Sequence, residues 1–296
     1  MNYKISNQNL LIEVSDHGAE LKSIKYNNVE YLHDSNPKFW SRSAPLLFPN
    51  IGTIKDGKTL INDNEYKMVK HGFLRDRDLQ VTNHETSSIT FEYLASDEDL
   101  KIYPYNFKFT VTYQIHGNIL KSYIVVTNLS KDTMQFNLGL HPAFKVPLFE
   151  NEKFEDYKFI FKDAGSYECP AVELSNGTIN FEKIARKFDN LKELPLNYED
   201  YKEDALVFTN LATHQITLTN KDESHGVSFE FHDFPLLGIW TPNHVKANFI
   251  CIEPWIGCAD PTNHDGQFKN KCELISLKEN ERRVKDCWQV KHFYLI

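Results

Sequence analysis

The chain has 296 residues, 41% of them hydrophobic and 25% charged, with a formal net charge of −8. These proportions belong to a folded globular chain, and the acidic balance argues against a nucleic-acid partner, which needs a concentrated basic face. Residues 1–9 lack the apolar core of a signal peptide, and no segment approaches the roughly 20 apolar residues of a membrane helix, so no membrane partner and a cytoplasmic location are expected.

Strand signals run from end to end. Asn9 to Ser15 reads as a short extended run. Leu21–Tyr26 and Val29–Leu32 flank Asn27-Asn28, a dipeptide that tolerates left-handed backbone and so marks a hairpin. Leu79–Thr82 and Ile89–Leu94 form another pair. Lys108–Ile115 and Ile119–Val126 are rich in β-branched and aromatic residues and join through His116-Gly117-Asn118. Further strands are predicted at Met134–Leu140, Tyr157–Phe161, Ala205–Phe208, Gln215–Thr219, Val227–Phe231, Leu237–Trp240, Phe249–Glu253, Glu273–Leu277 and Trp288–Phe293. Phe181 to Phe188 carries the one short helical pattern. No fixed-period repeat or Gly/Ser/Pro-rich linker divides the chain. The expectation is therefore an all-β protein, one antiparallel β-sandwich domain over residues 1–296.

The most informative residue is Glu253, in the otherwise apolar run Phe249-Ile-Cys-Ile-Glu-Pro-Trp255. Period-two alternation puts Phe249, Cys251, Glu253 and Trp255 on one face and Ile250 and Ile252 on the other. A carboxylate between aromatics on a half-apolar face resembles a groove residue; the bland alternative is an edge-strand Glu, with Pro254 ending the pairing. His71 precedes Gly72 in a turn-like segment where backbone can approach a ligand. His141 ends the strand-like Phe136-Asn-Leu-Gly-Leu140 run and is held extended by Pro142. Arg42 enters from the aromatic segment Phe39-Trp40 and has the fork geometry that suits hydroxyls or a phosphate. Asp204 precedes Ala205–Phe208, where a strand-entry turn role is the simpler reading. The run Arg75-Asp76-Arg77-Asp78 reads as a self-compensated solvated stretch.

Several chemistries lack their signatures. The chain has no G-x-S-x-G elbow, H-E-x-x-H helix, phosphate-binding loop or dinucleotide fingerprint. The five cysteines (169, 251, 258, 272 and 287) form no C-x-x-C pair and read as reduced thiols, not as a zinc site.

Taken in order, these segments resemble the aldose 1-epimerase (galactose mutarotase-like) family, in particular its LacX-like subgroup and the related glucose-6-phosphate 1-epimerases. The resemblance rests on Ala19–Ile24, Arg42 with Pro45–Gly52, His71-Gly72-Phe73 with Arg75, Gly139–Phe144, Glu203–Phe208 and Cys251–Gly257. It implies a β supersandwich with an open sugar groove, no cofactor and no metal. It also implies that Glu253 is the base and His141 the acid, that His71 contacts the ring oxygen or its neighbours, and that Arg42 and Asp204 bind hydroxyls. Arg75 and Trp255 join them as substrate-binding candidates.

The function expected is therefore interconversion of the anomers of an aldohexose or its 6-phosphate. The partner would be a small sugar, and the protein a monomer or homodimer. Mutual attraction is expected to lower the pKa of Glu253 and raise that of His141, partly offsetting burial. A non-catalytic sugar-binding protein is the rival from another class. Glycoside hydrolysis, using Asp204 with Glu253, would leave the two histidines without a role.

Overall fold

Side-chain alternation drives most of this chain into strands. In the computed structural model, which describes the backbone of residues 1–294 and side chains through Val284, almost every regular element is extended. The hairpin Phe107–His116 with Ile119–Asn128 shows the cause. Phe107, Phe109, Val111, Tyr113 and Ile115 are buried, while the residues between them face outward. A strand with that period can hide one face only against another layer.

Two sheets provide the layers. The larger has nine strands in the order Ile179–Pro195, Tyr157–Val172, Gln215–Asn220, His225–Glu230, Arg282–Tyr294, Ile119–Asn128, Phe107–His116, Ser88–Leu94, Gln80–His84. The smaller runs Leu206–Phe208, Leu236–Trp240, Phe249–Ile256, Leu138–Leu140, Leu46–Leu47, with Ala143–Lys145 also paired to Phe249–Ile256. Pairing is antiparallel throughout both. Aromatic rings stitch the sheets together. Phe48 meets Phe107 and Phe109 at centroid distances of 4.8 and 5.4 Å. Phe144 meets Phe229 at 6.0 Å, and Phe161 meets Phe208 at 5.6 Å. Ile250 and Ile252 point into this shared core, which leaves Cys251, Glu253 and Trp255 on the opposite face.

The antiparallel sandwich expected from the sequence is what forms, with informative differences. Asn27 and Asn28 both have positive φ, 49° and 64°, as a tight primed turn requires. The predicted Met134–Leu140 strand is two strands in different sheets. Met134–Phe136 pairs with Ile275–Leu277, and Leu138–Leu140 joins the smaller sheet. Asn137 makes the switch, its main-chain N–H donating to Pro49 O at 2.8 Å and its side-chain amide to Cys272 O at 3.0 Å.

The helix predicted at Phe181–Phe188 is wrong. The segment lies within the Ile179–Pro195 strand, whose hairpin with Tyr157–Val172 shifts register at several points. Those shifts break the alternation that would have marked it as extended, and Phe188 turns in to stack on Phe208 at 5.7 Å. Strands at Asn2–Ser6, Lys58–Ile61 and Asn64–Lys67 are too short or too polar to carry the period-two signal.

Gly72 fixes the path between the sheets and the site. Its φ is 71°, and a Cβ there would lie 2.1 Å from Phe48 O. Gly117, in a hairpin turn at φ 60°, has nothing within 4 Å of that position. Gly72→Ala should therefore cost about 2–4 kcal/mol of stability and Gly117→Ala about 1 kcal/mol, through backbone strain alone. Urea titration of both variants checks the difference; equal losses would mean that the Phe48 contact yields freely.

Candidate active site

The register of the smaller sheet brings the candidate acid and base together. Leu138–Leu140 and Ala143–Lys145 pair along the same edge of Phe249–Ile256, through Gly139 with Trp255 and Ala143 with Cys251. Continuing either ladder places His141 opposite Glu253, at the break between the two short strands. The break contains Pro142 and faces Pro254, and neither has an N–H to offer the ladder. Pro142 O is still satisfied, accepting from Ile252 N at 3.1 Å. The Glu253 strand is thus an interior one, and it pairs through Pro254 with Leu237 on its other side. The edge-strand alternative does not hold.

Across the gap, His141 Nε2 lies 3.0 Å from Glu253 Oε2, with the side chains 8% and 2% exposed. Burial pushes Glu253 well above the usual carboxylate range and His141 well below 6.5. Lys70, Arg75 and Arg42 push His141 down further. The expected compensation of each shift by mutual attraction is overridden by desolvation. Both shifts disfavour charge on the pair, and the raised Glu253 favours one proton held between the two groups.

His71 meets the same ring edge-on, at a centroid distance of 5.5 Å and 79°. Its own N–H donates to Gly52 O at 3.0 Å, and Gly52 N–H donates to His71 Nδ1 at 3.2 Å. Since Nδ1 accepts, the ring proton is on Nε2. Burial and the charge of His141 hold His71 well below 6.5, so it is a neutral donor. The turn at His71, φ 67°, brings the backbone against Phe48 and Gly52; it is the side chain that reaches the site.

These groups line a cavity of about 310 Å³ together with Arg42, Lys70, Arg75, Asp204, Trp40, Trp240 and Trp255. All five remaining residues singled out from the sequence that could touch a ligand, Arg42, Asp204, Arg75, Trp255 and His71, face it. Arg42 is held by Asp76 at 2.5 Å and by Arg75 O at 3.3 Å. Its loop is anchored by buried Glu20, which accepts from Ser43 N at 2.6 Å and Ala44 N at 3.0 Å. Asp204 is both a turn residue, with φ 77° and Oδ1 accepting from Ala205 N at 2.8 Å, and a cavity residue.

The Arg75–Asp78 run is only weakly self-compensated, through Arg75 Nε and Asp76 Oδ2 at 4.0 Å. Asp76 turns to Arg42, Arg77 bonds buried Asp99 at 2.8 Å, and Asp78 meets His17 at 2.8 Å. Arg75 stays at the cavity, its NH2 group donating to Lys70 O at 2.7 Å and its Nε–H without an acceptor. Burial lowers its pKa to about 10, which leaves it charged at neutral pH. Trp255 likewise presents a buried indole N–H without a partner. Its ring lies where a Cβ on Gly139 or Gly238 would clash, at 2.9 and 2.7 Å, so both flanking strands need glycine there.

Lys70, Trp40 and Trp240 are the site residues that sequence reasoning missed. Lys70 had a signal in its place beside His71; the two tryptophans had only their aromatic character. His141, Cys251 and Glu253 set donor atoms within 4.8 Å of one another, a spacing that a metal ion could exploit. The nearby Lys70, Arg75 and Arg42 charges oppose a divalent cation. The four described cysteines (169, 251, 258 and 272) are free, and Cys287 lies outside the described side chains. Among the described residues, no helix is long and apolar enough to cross a membrane.

Comparison with known proteins decides the family. The aldose 1-epimerase sequence profile matches residues 1–286. The chain belongs to the aldose 1-epimerase family. It is 31% identical to the plasmid-encoded LacX protein of Lactococcus lactis subsp. lactis over 284 residues, covering 94% of this chain and 95% of that one. A solved galactose mutarotase related enzyme from Lactobacillus acidophilus is 30% identical, with a TM-score of 0.93, and the match covers 99% of this chain and 97% of that one. A galactose mutarotase-like protein from Lactobacillus casei ATCC 334 is 29% identical, with a TM-score of 0.88 and 99% of both chains covered. An aldose epimerase acts on a sugar, and the cavity that contains the His141–Glu253 pair has the concave, polar-and-aromatic character of a sugar site.

The local charges make a prediction that needs no substrate. Lys70 lowers the pKa of both His141 and Glu253. Lys70→Met should raise both, by roughly half a unit to one unit. NMR titration of the labelled imidazole and carboxyl checks this; unmoved titrations would show that Lys70 is screened from the pair.

Proposed function

We propose that the protein interconverts the α and β anomers of an aldohexose by opening and reclosing the sugar ring. One observation carries the reading: a buried imidazole and a buried carboxyl 3.0 Å apart at a cavity able to hold a single sugar. Binding alone would need the aromatics and Arg42, not a desolvated pair that shares a proton.

The chemistry follows from that proton. Its transfer across the contact leaves Glu253 as carboxylate and His141 as imidazolium. Glu253 then takes the proton of the anomeric hydroxyl as the C1–O1 bond becomes a carbonyl. The C1–O5 bond breaks, and His141 gives its proton to O5. Rotation about C1–C2 and closure on the other face run the same steps backwards, with the roles reversed. His71, a neutral Nε2–H donor, hydrogen-bonds a sugar oxygen near the reacting centre. Arg42, Asp204, Arg75 and Trp255 hold the remaining oxygens. Each acid–base partner contributes about 10²–10⁴-fold, enough for a reaction that already proceeds in water.

A second reading concerns the sugar itself. Arg42, Lys70 and Arg75 line the cavity against Asp204 and Glu253, with Asp76 bonded to Arg42 and more distantly paired with Arg75 at 4.0 Å. Burial raises the Glu253 pKa, which shifts the local balance toward positive. That surplus favours a hexose 6-phosphate over the free hexose.

Polarimetry of freshly dissolved α-D-glucose, α-D-galactose and glucose 6-phosphate tests both readings. Glu253→Gln should lower kcat by about 10²–10⁴-fold while sugar binding persists. Binding is measurable by intrinsic fluorescence, since three of the four tryptophans line the cavity. A Glu253→Gln protein as active as wild type would sink the mechanism, and a preference for unphosphorylated sugar would sink the phosphate reading. Turnover should also be bell-shaped in pH. On the acid side, a second proton enters the pair at the depressed pKa of His141; on the alkaline side, the shared proton leaves at the raised pKa of Glu253. Activity is thus highest between the two limbs, and a profile that rises or falls without a maximum would contradict the shared proton.

A further inference from the structure

We propose that Trp40 is a positioning residue for His141, holding the imidazole face-on so that Nε2 stays aligned with Glu253 and favouring the ring in its protonated form. The proposal rests on the acid–base reading above. The Trp40 and His141 rings are stacked, with centroids 4.7 Å apart and an interplanar angle of 28°. Trp240 closes on the same imidazole edge-on, at 5.7 Å and 84°.

The need for such a clamp follows from what His141 lacks. A histidine that moves protons is usually oriented by a hydrogen bond on its other nitrogen, from a carboxylate or a neighbouring carbonyl. Here Nδ1 is buried and reaches nothing beyond the residue's own main chain. Hydrogen bonding therefore restrains rotation of the ring about its bond to Cβ at one end only, at Glu253. The flat indole supplies the second restraint.

Trp40 is itself fixed. Its N–H donates to Asn36 O at 2.9 Å, its carbonyl is 2.9 Å from His33 Nε2, and its ring stacks on Phe249 at 5.9 Å and 30°. Electrostatics give the stack a second consequence. The groups facing His141 are Glu253 and Cys251 from its partner strand, His71, Lys70 and Arg75 from the segment after Gly52, and Arg42 from the loop of Trp40. The three cations oppose a proton on the ring. Besides Glu253 and the residue's own main chain, the negative face of the indole favours it.

Trp40→Leu and Trp40→Phe in the full chain test this, with kcat and KM followed against pH and the His141 imidazole titrated by NMR. Trp40→Leu should lower kcat roughly tenfold with KM changed less than about twofold. The acid limb and the His141 titration should both move to lower pH by roughly 0.5–1 unit. Trp40→Phe, which keeps an aromatic face, should recover most of both. Three outcomes would overturn the proposal: no change in Trp40→Leu, a raised KM with kcat intact (the indole is then a sugar contact), or equal losses in both variants with an unmoved titration (packing alone). The NMR titration needs no turnover, so it decides the role of Trp40 separately from whether any sugar is epimerised.

Discussion

The structure is organised around the cost of keeping a carboxyl and an imidazole out of water. An isolated charge in such a place is penalised by several kcal/mol. Two adjacent groups that hold one proton between them avoid most of that penalty, because neither must be charged in the resting protein. The arrangement depends on the ladder being broken where His141 faces Glu253. Pro142 and Pro254 make the break inexpensive, since neither leaves an N–H unsatisfied.

The remainder of the site answers the demands of that pair. Gly52 grips His71 through both its main chain and Nδ1, so a second histidine is presented neutral and in one tautomer. Cations are brought in from two loops, and the two arginines are placed by partners: Glu20 anchors the Arg42 loop, Asp76 holds its guanidinium, and Lys70 O takes the NH2 group of Arg75. Glycines at 139 and 238 make room for the Trp255 indole between neighbouring strands. The large sheet contributes little chemistry. It is the support against which Ile250, Ile252 and their neighbours pack, and so fixes which face of the Glu253 strand turns to the cavity.

Much of this was legible in the residues. Period-two alternation identified most strands and put Glu253 on a face with Cys251 and Trp255, as the structure has it. Pro after His141 and Gly after His71 marked two special backbone positions. The failures have physical causes. Phe181, Ile184 and Phe188 recur at a helical spacing, yet bulges in a long hairpin generate the same spacing. Charge arithmetic along Arg75–Asp78 balances, but Asp76, Arg77 and Asp78 find their close partners far away in sequence. Trp40 and Trp240 carry no polar signature, so their place around His141 could not be read in advance.

The sequence by itself determined the all-β class, the hairpins and the set of residues from which a site could be built, because strand period and turn chemistry are local properties. Only the tertiary structure decided that His141 faces Glu253 across an interrupted ladder, that burial outweighs their attraction, and that three cations and three indoles surround them. Those outcomes depend on which strands become neighbours and on how much water the packed sheets exclude, and neither is encoded in any short stretch of chain.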